Sequence, residues 1–249
     1  MAELPLLAFT ILTGLSAGGY VAATAFGVLE KRRLRTFPFD VLCLAFLGLG
    51  LLGTMLHLGH PERLLNALAN PSAMIAQEAY WSIPFGALVL VDAILVKARD
   101  YRGRALPLAA SVLGCGLMTV TAIAYFTSYG VPGWPEVPTL FQFIVGDLCL
   151  GAAFASAFLK IEKKRALTAI CAALYVALAL VLVWEAVVFG ATAVGAAPFV
   201  VAAILAAAAA GIEGMPLRKK TCKPGIAWIA FGLILVVMVV TRYGFYAAF

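Results

Sequence analysis

Hydrophobic residues run along this chain in eight long stretches, separated by short connections that are charged or rich in proline and glycine. A transmembrane helix needs about 20 predominantly apolar residues, and each stretch reaches that length. The pattern therefore predicts an all-α integral membrane protein with eight transmembrane helices in a single transmembrane domain over residues 1–249. The predicted spans are 4–29, 38–58, 75–96, 105–127, 138–159, 166–188, 194–213 and 225–246.

Basic residues are concentrated in every second connection. Four groups of four, within 31–35, 97–104, 160–165 and 218–223, contain 16 of the 18 lysines and arginines. Connections rich in lysine and arginine stay on the cytoplasmic side of a membrane. We therefore expect both termini on the outer, periplasmic side of a bacterial plasma membrane.

The composition agrees with a membrane protein and narrows its possible cofactors. The protein is 64% hydrophobic and only 12% charged, and its eight spans leave no room for a soluble catalytic domain. The net charge of +6 is explained by the basic connections rather than by nucleic-acid binding. The five cysteines form no C-x-x-C pair, which argues against an iron–sulfur cluster held by this protein alone. The two histidines, His57 and His60, are three residues apart and cannot sandwich a haem between helices.

Ionisable residues inside the spans gather towards the predicted outer face. Such residues are costly in a membrane and are functional candidates by default. His57 ends the second span and Glu78 begins the third, so these two residues flank one outer connection at similar depth. Asp147, Glu185 and Arg242 are explained most simply as structural pairs that hold helices together. The inner half contains three acidic residues that can pair with the basic connections: Asp40, Asp92 and Glu213.

The pair of His57 and Glu78 suits oxidation of a quinol, which needs polar groups at the ring oxygens, a proton acceptor and an apolar slot. Histidine titrates near neutral pH, and a positioned carboxylate can act as a general base. Taken singly, His57 also fits interfacial packing, and Glu78 fits the dipole preference at a helix N-terminus. The glycine-rich stretch 14–19 of the first span allows either close helix approach or space for a ring.

Several sequence patches resemble the membrane anchor subunit of the dimethyl sulfoxide reductase family, which is distantly related to polysulfide-reductase-type anchors. In that family a His-Leu-Gly-x-Pro stretch precedes a glutamate by about twenty residues. Here the segment 55–63 reads Met-Leu-His-Leu-Gly-His-Pro-Glu-Arg, and Gln77-Glu78 follows it. The stretch 17–19, the opening of the fifth span at 137–139 and the closing segment 242–246 are also similar.

The resemblance implies two four-helix bundles and a haem-free anchor subunit of a molybdopterin oxidoreductase complex. Such an anchor exchanges electrons between the quinone pool, menaquinone or ubiquinone, and an iron–sulfur partner subunit. The iron–sulfur clusters and the molybdopterin then lie in partner subunits, and the direction fits either a sulfoxide-type reductase or a sulfite-type dehydrogenase. The resemblance assigns the quinol site to His57 and Glu78, with Gly18, Gly19 and Arg242 as further cofactor contacts.

Two alternatives remain open from the sequence. A secondary transporter would use Asp147, Glu185 and Arg242 as its substrate or proton site, although such proteins usually contain an internal repeat. A purely structural anchor would have no quinone site at all. Substitution of His57 or Glu78 separates this last alternative from a quinone-linked anchor.

Overall fold

The computed structural model describes residues 4–29, 33–57, 66, 68–100, 102–161, 165–218 and 225–249. At positions 33, 56, 57 and 218 it describes the backbone only.

The described residues form eight helices that are long and apolar enough to cross a membrane, which confirms the predicted number. No strand occurs within these ranges. The seventh helix begins three residues later than the predicted span and extends further at its end. Pro198 therefore lies in its first turn, where a missing backbone N–H costs no hydrogen bond. The helices are α1 Leu4–Ala25, α2 Arg33–His57, α3 Met74–Arg99, α4 Ala105–Phe126, α5 Val137–Phe158, α6 Arg165–Phe189, α7 Ala197–Arg218 and α8 Gly225–Tyr246.

The packing of the helices places α1 and α5 at the centre of the molecule. Helices α1 to α4 contact one another in chain order, and α4 also contacts α1. Helices α5 to α8 do the same, and α8 returns to α5. Contacts of α1 with α5 and α8, and of α4 with α5, join the two groups. The apolar windows of α1 and α5 are each 72% buried, against 33–39% for the other six, so those six carry most of the lipid-facing surface.

Glycine makes the central contact between α1 and α5 possible. A Cβ atom on Gly18 would lie 2.1 Å from the backbone oxygen of Asp147, and one on Gly151 would lie 1.9 Å from the carbonyl carbon of Gly18. At Gly19 a Cβ atom would meet the ring of Phe154 at 3.0 Å. Of the two uses predicted for the stretch 14–19, the structure therefore shows close helix approach. Contact of Gly18 and Gly19 with a quinone ring stays a prediction.

Buried charges connect α2 and α3 near the end of the α1–α4 group that is opposite to Glu78. Arg102, from the connection between α3 and α4, contacts the carboxylate of Asp40 and lies 3.0 Å from that of Asp92. It also donates a hydrogen bond to Thr36 at 2.8 Å, and Tyr20 donates one to Asp92 at 2.5 Å. The predicted pairing of Asp40 and Asp92 with a basic connection is confirmed. Arg102 itself is 4% exposed, so this residue of the basic connection lies inside the protein.

Candidate functional site

Glu78 lies in the second turn of α3 and points into the protein. Only 8% of its surface is exposed. Its carboxyl group lies beside the Thr121 hydroxyl of α4. A glutamate placed at a helix start only for its interaction with the helix dipole gains that interaction while solvated. The burial of Glu78 therefore favours a role for its carboxyl group inside the protein.

Two further hydroxyl groups at the same end of the α1–α4 group are buried and lack hydrogen-bond partners among the described residues. They belong to Thr54 of α2 and Ser82 of α3. Thr54 lies three residues before His57, and Ser82 lies four residues after Glu78. Serine and threonine inside helices commonly bond to a carbonyl oxygen of the preceding turn. Unpartnered hydroxyls are costly when buried, and a ligand that carries oxygen atoms would satisfy them.

His57 is the last residue of α2, and its side chain lies outside the described residues. The segment 58–65, with His60, is outside them as well. The backbones of His57 and Glu78 lie at the same end of the contacting helices α2 and α3. Participation of the His57 imidazole in a site with Glu78 stays a prediction.

Arg242 of α8 is fully buried and is fixed by α5. Its guanidinium group donates hydrogen bonds to Gln142 at 2.6 Å and to Asp147 at 3.3 Å. It also lies 3.2 Å from the ring centre of Phe143, a cation–π contact. The predicted structural pairing of Asp147 with Arg242 is thus confirmed. Glu185 of α6 interacts electrostatically with Arg242, and its two buried oxygen atoms have no hydrogen-bond partner within the described ranges.

Two tyrosines contact each other across the two helix groups. The phenol groups of Tyr125 in α4 and Tyr246 in α8 are within hydrogen-bonding reach of each other. Both interact electrostatically with Glu78 and with Arg242. Tyr246 also donates a long hydrogen bond of 3.4 Å to Thr10 of α1. Buried polar groups therefore occur in both helix groups at the end of the helices that holds Glu78.

Comparison with known proteins identifies the family. The model of the family described as DMSO reductase anchor subunit (DmsC) matches residues 1–219. The protein belongs to this family. The C subunit of the anaerobic dimethyl sulfoxide reductase of Haemophilus influenzae is 29% identical over 170 residues, a match that covers 66% of the present sequence. The same match covers 61% of that relative, less than two thirds of its length. No solved structure matches.

The predicted resemblance to the dimethyl sulfoxide reductase anchor family is therefore confirmed. In this DmsC-family protein, sequence reasoning selected Glu78 and Arg242, and the structure buries both of them. It missed Tyr125, which sits one residue before the end of α4. The available signal was weak, because a tyrosine near the end of a membrane span is common at a lipid–water interface. Only the neighbouring helices show that its hydroxyl group faces other polar side chains.

The connection 127–136 of this DmsC-family protein folds back over the end of α8. Tyr129 is 78% exposed. Trp134 is 4% exposed and stacks on Phe245 with 4.9 Å between ring centres. Its indole N–H donates to the carbonyl oxygen of Phe245 at 2.9 Å. The last carbonyl groups of a helix have no partner within the helix, so the Phe245 carbonyl can accept this bond. The hydrogen bond in turn offsets the cost of burying the indole N–H.

Proposed function

We propose that this DmsC-family protein is the quinone-linked, haem-free membrane anchor of a molybdopterin oxidoreductase complex. It would exchange electrons between the quinone pool and an iron–sulfur partner subunit. The observation that carries the proposal is the buried Glu78 carboxyl group beside the Thr121 hydroxyl, at the same end of the helices as the unpartnered hydroxyls of Thr54 and Ser82. Family membership supports the anchor role, and this polar site within an apolar helix group supports a redox role.

The residues present fit a quinol as substrate. A quinol ring carries two oxygen atoms and delivers two electrons together with two protons. The unpartnered hydroxyls of Thr54 and Ser82 offer hydrogen bonds to such oxygen atoms. The surrounding helices supply an apolar environment, in which hydrogen bonds and charges act more strongly than in water.

Glu78 and His57 would divide the proton chemistry of this site. The Glu78 carboxylate would accept a proton from the ring oxygen that lies nearest to it. The His57 imidazole would hold the other ring oxygen and exchange the second proton, since histidine changes its charge near neutral pH. Thr121 would orient the Glu78 carboxyl group, beside which it lies.

The proposed orientation places this site near the periplasmic face of a bacterial plasma membrane. The four basic connections would be cytoplasmic, and both termini would be periplasmic. The iron–sulfur and molybdopterin subunits would dock on the periplasmic side, because electrons tunnel poorly across a whole bilayer. Protons would be released and taken up on that side, with little charge separation. The closed contacts within α1–α4 and within α5–α8 support an arrangement as two four-helix bundles.

The proposal is tested by quinol-linked electron transfer in membranes that carry the intact complex. Glu78→Gln and His57→Ala should each lower this rate by about a hundredfold or more, the contribution of a positioned acid or base. A dye-linked assay that bypasses the anchor should stay unchanged, which shows that the complex assembles. Glu213→Gln is the matched control, since it makes the same replacement in a glutamate that is 4% exposed near the opposite end of the helices.

The outcomes of these assays distinguish a quinone site at Glu78, a quinone site elsewhere and a purely structural anchor. If Glu78→Gln and Glu213→Gln behave alike, the quinone site is not at Glu78. Full quinol turnover in both the Glu78 and the His57 variant would indicate a purely structural anchor. Assays run from quinol and from quinone measure the direction of electron flow.

A further inference from the structure

Tyr125 and Tyr246 occupy the contact between the two helix groups. Tyr125 is 7% exposed and Tyr246 is fully buried. Their ring centres are 5.4 Å apart, and Tyr125 also stacks on Phe143 at 4.7 Å. Phe143 is the ring against which the guanidinium group of Arg242 rests. Tyr125 lies one helical turn after Thr121, whose hydroxyl is beside the Glu78 carboxyl group, so both side chains share one face of α4. Direct contacts from Tyr125 to Tyr246 and Phe143, and from Phe143 to Arg242, then lead to the second helix group.

The charges at the two ends of this path have opposite sign. Glu78 supplies a carboxyl group at one end, and Arg242 supplies a guanidinium group at the other. The guanidinium group cannot move freely, because Gln142 and Asp147 hold it. The phenol groups of Tyr125 and Tyr246 are close enough to both charges to interact with them electrostatically, and buried hydrogen-bonded groups polarise one another.

The hydroxyl groups of the two tyrosines make no strong hydrogen bonds to described groups outside the path. The bond from Tyr246 to Thr10 is 3.4 Å long, whereas typical O–H···O bonds are about 2.7–2.8 Å. Both hydroxyls can therefore turn when the charge on the Glu78 carboxyl group changes.

We propose that Tyr125 and Tyr246 are positioning residues for the Glu78 site, forming a bridge that couples Glu78 to the Arg242 cluster of the second helix group. This inference rests on the proposed function, because it assigns Glu78 a role in quinol turnover. The bridge orients the Glu78 carboxyl group and responds to its charge. The second helix group thereby contributes to proton transfer at a site built on the first.

The test uses Tyr125→Phe, Tyr246→Phe and the double variant in membranes that carry the intact complex. Each single variant removes one hydroxyl and keeps the ring, so the aromatic packing is preserved. We expect each to lower kcat for quinol oxidation about tenfold, the effect of one lost hydrogen bond to a charged network. The KM for quinol should stay within about twofold, since neither hydroxyl is assigned to quinol binding.

Tyr175→Phe is the matched control. Tyr175 in α6 is fully buried, and its hydroxyl has no hydrogen-bond partner among the described residues. It interacts electrostatically with Glu213 and lies towards the other end of the second helix group. This variant loses the same hydroxyl from a comparable environment, and its quinol turnover should stay unchanged.

The double variant distinguishes a shared bridge from two independent packing effects. If the bridge is one unit, Tyr125→Phe/Tyr246→Phe should be no slower than either single variant, because the first substitution already breaks it. Independent effects would multiply to about a hundredfold and would overturn the proposal. Single variants that turn over quinol as fast as Tyr175→Phe would overturn it as well. If Glu78→Gln keeps full quinol turnover, the proposed function itself fails, a result that differs from failure of the bridge alone.

Discussion

The close central contact between α1 and α5 predicts that Gly18→Ala destabilises the protein. The added Cβ atom would lie 2.1 Å from the backbone oxygen of Asp147 and 2.9 Å from its carbonyl carbon. The obstructing atoms belong to a helix backbone, so no side-chain rotation can relieve the clash. The two most buried helices must therefore move apart.

The distance by which α1 and α5 must separate sets the size of the expected loss in the free energy of unfolding. Ordinary van der Waals contact begins at 3.4 Å, so the gap of 2.1 Å leaves a shortfall of about 1.3 Å along this contact. A gap of about 0.5–1 Å already forfeits about a quarter to a half of the dispersion energy between facing atoms. Overpacking of a well-packed core costs about 1–3 kcal/mol. We expect Gly18→Ala to lower the free energy of unfolding by about 3 kcal/mol, the upper end of that range, because the whole helix contact must open.

Thermal unfolding of the purified protein in detergent, followed by loss of helical circular dichroism, measures this effect. Gly48→Ala is the matched control, because a Cβ atom at Gly48 of α2 meets nothing within 4 Å. Alanine is a better helix former than glycine, so the control should be equal to the parent protein or up to about 1 kcal/mol more stable. Equal stabilities for the two variants would show that α1 and α5 do not cross at Gly18.

Two further predictions concern the buried charges. Arg102→Ala leaves two buried aspartates without their cation and should lower the free energy of unfolding by about 3–5 kcal/mol. The exposed Arg99→Ala should change it by no more than about 0.5 kcal/mol in the same thermal assay, and a similar loss in both variants would contradict the buried cluster. Asp147→Asn should be similarly destabilising, because it leaves the buried Arg242 without its ion-pair partner. Adding Arg242→Gln should recover part of that loss, whereas full additivity of the two losses would argue against the ion pair.

The positions of the membrane helices were predictable from the sequence, but the burial of Arg102 in a basic connection was not. Asp100 follows α3 in a left-handed conformation with φ 43°, which ends the helix and reverses the backbone direction. The reversal brings Arg102 back between α2 and α3 instead of leaving it outside. The residue type of Arg102 alone predicts a cytoplasmic position, because the number of basic residues in a connection gives no information about where a long side chain points.

The candidate site, like the basic connection, was predicted from the sequence only in part. Glu78 was selected from its depth in the third span and from the family pattern around it, and the structure adds that it is buried. Tyr125 was not selected, because a tyrosine at the end of a span has an ordinary explanation at the interface. The role proposed for Tyr125 depends on its contact with Tyr246. Tyr246 lies at the end of another helix and approaches Tyr125 only through the contact between the two helix groups.

The sequence by itself determined that this is an eight-helix membrane protein, and it carried the family resemblance. These properties follow from local quantities: the transfer free energy of about 20 consecutive side chains, and short motifs read in order. Only the tertiary structure decided which intramembrane charges meet. Arg242 lies 95 residues from Asp147, and Arg102 lies 62 residues from Asp40. Such pairs depend on how each helix is rotated about its axis and on how closely it approaches its neighbours. Helix rotation and approach are set by packing across the whole bundle, including the glycine contact of α1 with α5, and not by the local sequence of any one span.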